Sequence, residues 1–324
     1  MNWRALAAAL VCGLVVAAPE GRGAEYPARS IKLVVPYPAG GPTDVLGRMV
    51  GEYLSRDLKQ SVVIENKGGA QGAIGAEAVA HAEADGYTLL FTASSVLELN
   101  PMLYKKLSYD PDRELRVLAI VTDTPAVMIV HPSVPAKSVA EFVAHARQSP
   151  GKLNFGSAGT GGVGHLSGEM FKLMAGIAMT HVPYKGAGPA LADLIAGHIQ
   201  ATFETLGTAL PPIKPGLVRP LGVTAPGRIS DLPDLPTIAE SGYPDYRATV
   251  WYGAAAPAGV SVQIADTIRA SFNRALDDEV FRASLTKVGF PPQRSRSQAE
   301  IDQFVAADRA RWAAVIKALN ISLD

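Results

Sequence analysis

Short apolar runs rich in β-branched residues alternate along this chain with longer stretches whose apolar residues recur every three to four positions. The short runs predict β-strands, and the longer stretches predict helices with one buried face. Regular alternation of this kind from residue 30 onward predicts an α/β fold with mostly parallel sheets. The predicted strands cover residues 31–35, 61–65, 87–92, 126–130, 152–156, 179–183, 200–204, 219–223 and 249–255.

Three of the predicted helices have recognisable starts. In the first, apolar residues fall on one face from Val45 to Leu58, and Pro42 suits the first helical position because its missing N–H is not needed there. The other two begin with a capping-box pattern, a serine followed three residues later by a glutamate, at Ser138 and at Ser297. Their apolar faces predict packing, and no function is assigned to them.

Two proline-rich segments, residues 107–135 and 226–257, interrupt this pattern. A chain that leaves one lobe, builds a second and returns to the first would show such an arrangement, and roughly 300 residues is the length of two domains. We therefore expect one lobe formed by residues 25–123 together with about 253–324, and a second lobe formed by about 124–252.

Residues 1–24 have the layout of a secretory signal peptide: a basic start at Arg4, an uncharged apolar run over 5–18, and small residues after it. The run is shorter than the roughly 20 residues that span a membrane. The cleavage position stays open, because Gly21 and Gly23 fit a small-x-small pattern while Arg22 and Pro19 disfavour the neighbouring options. Export to the periplasm is expected, and because the single cysteine, Cys12, lies in this segment, the mature chain would have no disulfide.

Charge and composition exclude several classes of partner. The chain has 30 basic and 30 acidic residues, and loss of Arg4, Glu20 and Arg22 with the signal peptide would leave a net charge of −1. No basic run with interleaved aromatic residues is present, so nucleic-acid binding is not expected. No second apolar run reaches membrane-spanning length, so the mature protein is expected to be soluble.

The segment Pro-Tyr-Pro-Ala-Gly-Gly-Pro-Thr-Asp, residues 36–44, joins the first predicted strand to the first predicted helix. Gly40 and Gly41 allow left-handed backbone angles and a close approach by a ligand. The free N–H groups of the following helical turn carry the positive end of the helix dipole, which favours a bound carboxylate or phosphate. From this segment alone, an anion site and a plain tight turn capped by Asp44 are equally good interpretations.

A second glycine-rich loop, residues 157–162, also follows a predicted strand and opens a predicted helix. It contains a literal Gly-x-Gly-x-x-Gly, the pattern of a dinucleotide-binding loop. The next strand ends in His-Val-Pro-Tyr-Lys, without the acidic residue that would hold a ribose hydroxyl, so dinucleotide binding is disfavoured. We interpret the loop as a second anion-binding helix N-terminus with hydroxyls from Ser157 and Thr160. Other small-residue loops after predicted strands cover residues 67–72, 93–95 and 184–188.

Patterns for catalysis and for metal binding are weak. Ser157 lacks the first glycine of a Gly-x-Ser-x-Gly elbow, and the six histidines have no tight ligand spacing, so no enzyme, metal or cofactor is expected. His165 is interpreted as a capping or packing residue, with ligand contact as the alternative. Glu204 could meet a ligand ammonium or hydroxyl, or be a solvated or capping carboxylate. Lys185 could pair with a second carboxylate or stay solvated.

Seven segments, taken in order, carry a resemblance to a known family. They are residues 36–44, 63–67, 84–90, 130–138, 151–159, 181–186 and 256–259. Over essentially its whole mature length, the chain resembles the periplasmic solute receptors of tripartite tricarboxylate transporters, also called the Bug family.

The resemblance implies a two-lobed periplasmic binding protein of the type II kind, in which each lobe is a mostly parallel sheet flanked by helices and a hinge joins the two. It also implies a small carboxylate held by backbone N–H groups, hydroxyls and bridging waters. Where many relatives have Asp-Asn, this chain has Glu204-Thr205, so the ligand cannot be taken from relatives. Matched onto this chain, the binding residues are Pro38, Ala39, Gly40, Gly41 and Asp44 on one side and Ser157, Thr160, Gly161 and Gly162 on the other, with Ser94, Tyr184 and Glu204 lining the rest of the pocket.

The function implied is that of a monomeric receptor that closes on its ligand by hinge bending near Pro125 and Trp251 and delivers it to integral-membrane permease subunits. Signalling to a membrane sensor protein is the alternative within the binding class. A periplasmic serine hydrolase that uses Ser157 is the remote alternative from another class, and turnover that disappears in a Ser157→Ala variant would support it. The identity of the carboxylate is not readable from the sequence.

Overall fold

A computed structural model of the chain describes residues 26–323. The predicted signal peptide, residues 1–24, lies outside the described residues, as does Cys12.

Nine strands form one continuous sheet within the described range. They are β1 Ile31–Val35, β2 Val62–Asn66, β3 Thr88–Ala93, β4 Leu115–Val130, β5 Asn154–Ser157, β6 Thr180–Pro183, β7 Ala201–Thr205, β8 Arg219–Val223 and β9 Thr249–Pro257. Each corresponds to one predicted strand. The large difference is β4, which begins at Leu115 and not at residue 126.

The helices cover both faces of this sheet. They are α1 Pro42–Asp57, α2 Ala73–Ala80, α3 Asn100–Leu103, α4 Pro111–Glu114, α5 Val139–Gln148, α6 Val163–Ala175, α7 Ala187–Ile195, α8 Leu206–Ile213, α9 Val262–Asp277, α10 Glu279–Lys287 and α11 Gln298–Leu319. A 3-10 turn, Ala70–Gly72, precedes α2, and a π-helical turn, Ser95–Leu99, follows β3. No helix of residues 26–323 combines the length and the apolarity needed to cross a membrane.

The predicted helix starts are present. Ser297 and Glu300 form a complete capping box at α11. At α5 only half of the predicted box forms: Ser138 accepts from the Glu141 N–H, but the Glu141 carboxylate accepts from the N–H of Lys137. Pro42 occupies the first turn of α1, as predicted.

The sheet changes partners at β4 and β9. β1 pairs in parallel with β2 and β3, and β5 pairs in parallel with β6 and β7. β9 is antiparallel to β3 and to the first part of β4, whereas β4 from Ala126 onward is antiparallel to β7 and β8. The predicted α/β class is confirmed. The parallel pairings lie within each lobe, and β4 and β9, which run against their neighbours, make the whole sheet mixed.

The unpredicted first part of β4 lies in a segment whose prolines indicate a linker. Pro125 ends this part, and it pairs with Thr249 at the start of β9. Two register shifts lie along the β4–β9 pairing, between Val117 and Ala119 and between Ile120 and Thr122. Long strands, and not loops, therefore connect the two lobes.

Buried side chains hold the loops at the carboxyl ends of the strands. Leu46 of α1 and Phe91 of β3 in the first lobe, and Leu166 of α6 and Phe155 of β5 in the second, are fully buried and belong to one hydrophobic core. Burial of one such side chain contributes about 1.5–3 kcal/mol. Because each strand and the following helix are both anchored in a core, the loops that join β1 to α1 and β5 to α6 have defined positions.

Candidate functional site

The loop between β1 and α1 is shaped by Gly40. Its φ is +88°, a conformation that residues with a side chain rarely adopt, while a Cβ at this position would meet no atom within 4 Å. Glycine is therefore required by the backbone and not by lack of space. Gly41 is extended, with φ −79° and ψ 171°, and it is the N-cap of α1. The prediction of left-handed angles is correct for Gly40 and wrong for Gly41.

Asp44 holds this loop from beneath. The residue is 3 % exposed, and Oδ2 accepts from the Gly40 N–H and from Arg48 Nε, each at 2.9 Å. Oδ1 accepts from Asn66 Nδ2 at 2.9 Å. Burial alone would raise the pKa of Asp44, but the hydrogen bonds from Arg48, Gly40 and Asn66 outweigh it and lower the pKa below its usual value. Because both oxygens are used within the protein, Asp44 fixes the Gly40 backbone.

Backbone donors are what this loop offers to an anion. Pro38, Ala39 and Gly40 are exposed. The first intrahelical hydrogen bond of α1 runs from the Val45 N–H to Gly41 O at 3.0 Å. The N–H groups of Thr43 and Asp44 precede it, so they have no acceptor within the helix and lie at the positive end of its dipole.

The loop between β5 and α6 is built on Ser157, which is 2 % exposed. Its hydroxyl donates to Gly159 O at 3.0 Å, accepts from the Gly159 N–H at 3.2 Å and lies 2.7 Å from His181 Nε2. Gly159 and Gly161 have φ of +145° and +85°. Ser157 was predicted as a ligand hydroxyl, and in the structure its hydroxyl is engaged by Gly159 of its own loop and by His181 of β6.

Two stacked histidines support the second loop. His165 Nδ1 accepts from the Gly161 N–H at 3.1 Å, and the His165 and His181 rings are 4.0 Å apart. Burial lowers the pKa of both, and the charges of His165 and Lys172 add to burial in lowering the pKa of His181 to about 3. Both rings are therefore neutral at neutral pH, and the capping interpretation of His165 is confirmed.

Use of the Gly161 N–H by His165 leaves other donors at this helix start. Gly162 is the N-cap of α6, and Val163 and Gly164 occupy its first turn, where N–H groups lack an intrahelical acceptor. Thr160 and Gly162 are partly exposed. The second loop thus has the same construction as the first: a supported glycine turn followed by a helix N-terminus.

The other predicted pocket residues differ in their surroundings. Ser94, at the end of β3, is fully buried, and its Oγ has no hydrogen-bond partner among the described residues. Tyr184 donates to Asp193 Oδ2 at 2.7 Å, which ties its hydroxyl to α7. Lys185 is exposed. Glu204, near the end of β7, is 4 % exposed, and burial raises its pKa to about 8, which rules out the solvated-carboxylate interpretation.

Gln71 links the two lobes, and it was not among the predicted site residues. Its side-chain amide occupies the space in which a Cβ of Gly159 would lie. Gln71 itself has φ +53°, and the preceding Gly68 packs against Pro38, where a Cβ would be 3.3 Å from Pro38 Cδ. The loops 36–41 and 67–72 of the first lobe therefore touch each other and reach the loop 157–162 of the second.

Other supporting residues were also missed. Arg48 lies four positions after Asp44 on α1, a spacing at which side chains meet on a helix, so that pair was readable from the sequence. Asn66, at the end of β2, and His181, in β6, gave no comparable signal. No group of three or more His, Cys, Asp or Glu residues in the described part of the chain could hold a metal ion.

The chain has two α/β lobes joined by crossing strands, and each lobe contributes a glycine loop and a helix N-terminus at their junction. This arrangement is that of a solute-binding receptor of the periplasmic type. The sequence model described as "Tripartite tricarboxylate transporter family receptor" matches residues 46–321, and the chain belongs to this family. Protein BugT of Bordetella pertussis is 35% identical over 304 residues, which are 92% of this chain and 91% of BugT.

Solved structures agree with this assignment. Rpa4515 of R. palustris, solved with adipate, superposes with a TM-score of 0.88 at 36% identity and covers 92% of this chain and 99% of its own. MatC of Rhodopseudomonas palustris, solved with bound malate, superposes with a TM-score of 0.83 at 32% identity and covers 90% of this chain and 100% of its own. The periplasmic binding protein BugD superposes with a TM-score of 0.84 at 31% identity and covers 92% of this chain and 99% of its own. The predicted fold class and family are confirmed, and the family is one of receptors and not of enzymes.

Proposed function

We propose that this chain captures a small carboxylate in the periplasm, between the N-termini of α1 and α6, and delivers it to the integral-membrane permease subunits of a tripartite transporter. The observation that carries the proposal is the Gly40–Asp44 hydrogen bond of 2.9 Å, which turns the loop so that the first-turn N–H groups of α1 remain free for an anion. The likeness to receptors solved with adipate and with malate supports a carboxylate as the class of ligand.

Within each loop, some residues present the helix N-terminus to the ligand and others hold the loop in shape. Pro38, Ala39, Gly40 and Gly41 present the first helix start, while Thr160 and Gly162 present the second. Asp44, Ser157 and Gly161 hold the loops in shape, since their polar groups are engaged within the protein. Ser94 and Glu204 line the deeper part of the pocket, and Tyr184 closes one side through its packing.

The energies show what else must contribute. A dissociation constant near 1 μM corresponds to about 8 kcal/mol. Two helix N-termini supply roughly 0.3–2 kcal/mol each, so most of the affinity has to come from hydrogen bonds and from burial of the ligand. Closure of the lobes provides this burial, by bending of β4 and β9 near Pro125 and Trp251, with residues 25–123 and about 253–324 moving against about 124–252.

A thermal-shift screen of the chain without residues 1–24 tests the class of ligand. Di- and tricarboxylates, aromatic acids, nicotinate and amino acids are compared, and a ligand at 100 times its dissociation constant adds about 2.7 kcal/mol of stability. For domains of this size that shifts the midpoint by several degrees. A hit among these carboxylates supports the proposal, and a screen in which none of them raises the unfolding midpoint would overturn it.

Gly40→Val then tests the site, with Gly151→Val as the matched control. Gly151 has φ +73° and, like Gly40, no atom within 4 Å of an added Cβ, but it precedes β5 at the edge of the sheet opposite to Ser157. Both variants carry similar backbone strain, about 1–3 kcal/mol. We expect Gly40→Val to weaken binding of the best carboxylate at least tenfold and Gly151→Val to leave it unchanged.

A further inference from the structure

Gly161, in the glycine loop of the second lobe, faces two leucines of the first lobe. A Cβ at this position would lie 2.8 Å from Leu323 Cδ1 and 3.1 Å from Leu103 Cδ1. Both distances are below the 3.4 Å at which ordinary van der Waals contact begins, so the two methyl groups already fill the space beside the Gly161 Cα. The loop 157–162 is therefore covered at this point by side chains that its own lobe does not supply.

The segment that follows α11 is fastened to α3. Asn320, the C-cap of α11, has a left-handed conformation with φ +51° and turns the chain out of the helix. The Leu323 N–H then donates to Leu103 O at 2.7 Å, and Leu323 forms a parallel bridge with Tyr104. We call Leu103 together with residues 320–323 the latch.

A second contact to the same glycine loop also depends on α3. Asn100, the first residue of α3, is fully buried, and its Nδ2 donates to Gln71 O at 3.2 Å. The Gln71 side-chain amide occupies the space beside Gly159. The first and last residues of α3 thus support the two contacts that the first lobe makes with the loop 157–162, one at Gly159 and one at Gly161.

These two contacts lie on either side of a residue that presents the second helix N-terminus. Thr160 lies between Gly159 and Gly161 in the chain. The Gly161 N–H donates to His165 Nδ1 at 3.1 Å, so the second lobe holds this glycine through its backbone. The latch holds the same glycine through apolar contact from the first lobe. Separation of the lobes breaks the latch contact and leaves the His165 contact in place.

α11 brings the latch to this position. The helix packs against α3 in the first lobe and against α6 in the second. In its second half, Arg311 Nη1 donates to the carbonyl of Arg247, a residue of the second lobe, at 3.1 Å. Because α11 lies across the junction of the lobes, the segment after it can bond to Leu103 and touch Gly161 at the same time.

Resting on the proposed function, we propose that the latch controls ligand release: Leu103 and Leu323 pack against Gly161 only when the lobes are closed, and this contact slows the dissociation of the carboxylate. A contact that exists in one of two conformations shifts the population toward that conformation. Association begins from the open form, which lacks the contact, so the latch should change the dissociation rate and not the association rate.

Stopped-flow tryptophan fluorescence of the chain without residues 1–24 measures both rates. Its two tryptophans, Trp251 of β9 and Trp312 of α11, are fully buried. The probe is the carboxylate that gives the largest shift in a thermal screen containing adipate, malate, citrate, benzoate, nicotinate and glutamate. We expect Leu323→Ala to raise the dissociation rate by roughly threefold to tenfold, because one or two methyl groups lose their burial, and to leave the association rate unchanged.

Two further variants test the chemistry of the latch. A chain that stops at Asn320 lacks both the Leu323 side chain and its hydrogen bond to Leu103, so it should release the probe at least as fast as Leu323→Ala does. Leu323→Met keeps an apolar side chain of similar volume and reach, so its dissociation rate should stay close to that of the wild type.

Leu58→Ala is the matched control. Leu58, like Leu323, is partly buried against the main hydrophobic core. It follows the last residue of α1, at the end of that helix opposite to the glycine loop 36–41. The substitution removes a similar apolar side chain without touching the loop 157–162, and it should leave both rates unchanged.

The outcomes distinguish the two levels of the argument. Wild-type dissociation rates in Leu323→Ala and in the shortened chain overturn the latch and leave the proposed receptor function intact. An equal acceleration in Leu58→Ala also overturns the latch, because release would then follow general stability. Absence of a thermal shift with every carboxylate of the screen overturns both proposals.

Discussion

The side-chain amide of Gln71 fills the space beside Cα of Gly159, so that a residue of the first lobe completes the glycine loop of the second. Gln71 lies in a 3-10 turn in a left-handed conformation, and its backbone carbonyl accepts from Asn100 Nδ2 at 3.2 Å. The side chain is thereby held at the point where the two lobes meet.

Replacement of Gln71 with alanine should loosen this contact. Loss of the amide removes packing between the lobes only when they are together, so the ligand should dissociate several-fold faster while the midpoint of thermal unfolding of the free protein changes little. Stopped-flow measurement of dissociation checks this. An unchanged dissociation rate would show that the Gln71–Gly159 contact has no part in closure.

A Gly159→Ala substitution tests the same contact from the other side. The added Cβ needs the space of the Gln71 amide, and φ +145° adds backbone strain. We expect Gly159→Ala to bind the ligand more weakly than Gln71→Ala does. The double variant should recover part of the affinity, because it relieves the steric conflict but not the backbone strain. Strict additivity of the two free-energy changes would contradict this account.

Removal of the Asp44 carboxylate should affect binding as well as stability. Asp44→Ala leaves the Gly40 N–H, Arg48 and Asn66 without their acceptor, which should cost about 1–3 kcal/mol of unfolding free energy and raise the dissociation constant at least tenfold.

Asp57→Ala is the control for Asp44→Ala. Asp57 ends the same helix and accepts from Ser271 and Arg274, so its loss should cost comparable stability but leave affinity unchanged. Chemical denaturation and calorimetry together separate the two effects. Equal losses of affinity in both variants would mean that Asp44 acts through general stability and not through the loop.

The buried acid pair at β9 predicts a pH dependence of stability. Glu98 is fully buried, its Oε1 accepts from Trp251 Nε1 at 3.1 Å, and the carboxyl of Asp308 lies beside it. Burial first, and the charge of Asp308 second, raise the pKa of Glu98 well above its usual value. A raised pKa in the folded state means that stability from this group is present at low pH and is lost as the pH rises from about 4.5 through the raised value.

Glu98→Gln removes this titration but keeps a donor toward Asp308. Between pH 5 and 9, the midpoint of thermal unfolding of the variant should therefore increase relative to that of the wild type as the pH rises. A difference between the two midpoints that stays constant over this range would contradict the assignment.

The local sequence predicted the parts of the site that depend on local chemistry. Gly40 was identified because a strand, a glycine turn and Pro42 are adjacent in the chain, and the α6 helix start was identified in the same way. The first part of β4 was missed because a proline such as Pro125 usually ends a strand. In the structure Pro125 is accommodated within β4, where it pairs with Thr249 of β9.

Contacts between distant segments could not be predicted from pattern alone. Ser157 and His181 are 24 residues apart and meet only because β5 and β6 pair in register. The Gln71–Gly159 contact requires the packing of both lobes. For Glu204, the sequence left open a ligand contact and a solvated or capping carboxylate, and only its burial in the structure rules out the solvated one.

In the proposed function, a carboxylate binds to the backbone N–H groups at the starts of α1 and α6. Amide proton and nitrogen chemical shifts of the 15N-labelled protein, followed during titration with the best carboxylate from the screen, test it most directly. We expect large downfield shifts of the Thr43, Asp44 and Gly164 amides that saturate together with binding. Saturation of binding with these amides unmoved, and with the largest shifts elsewhere, would contradict it.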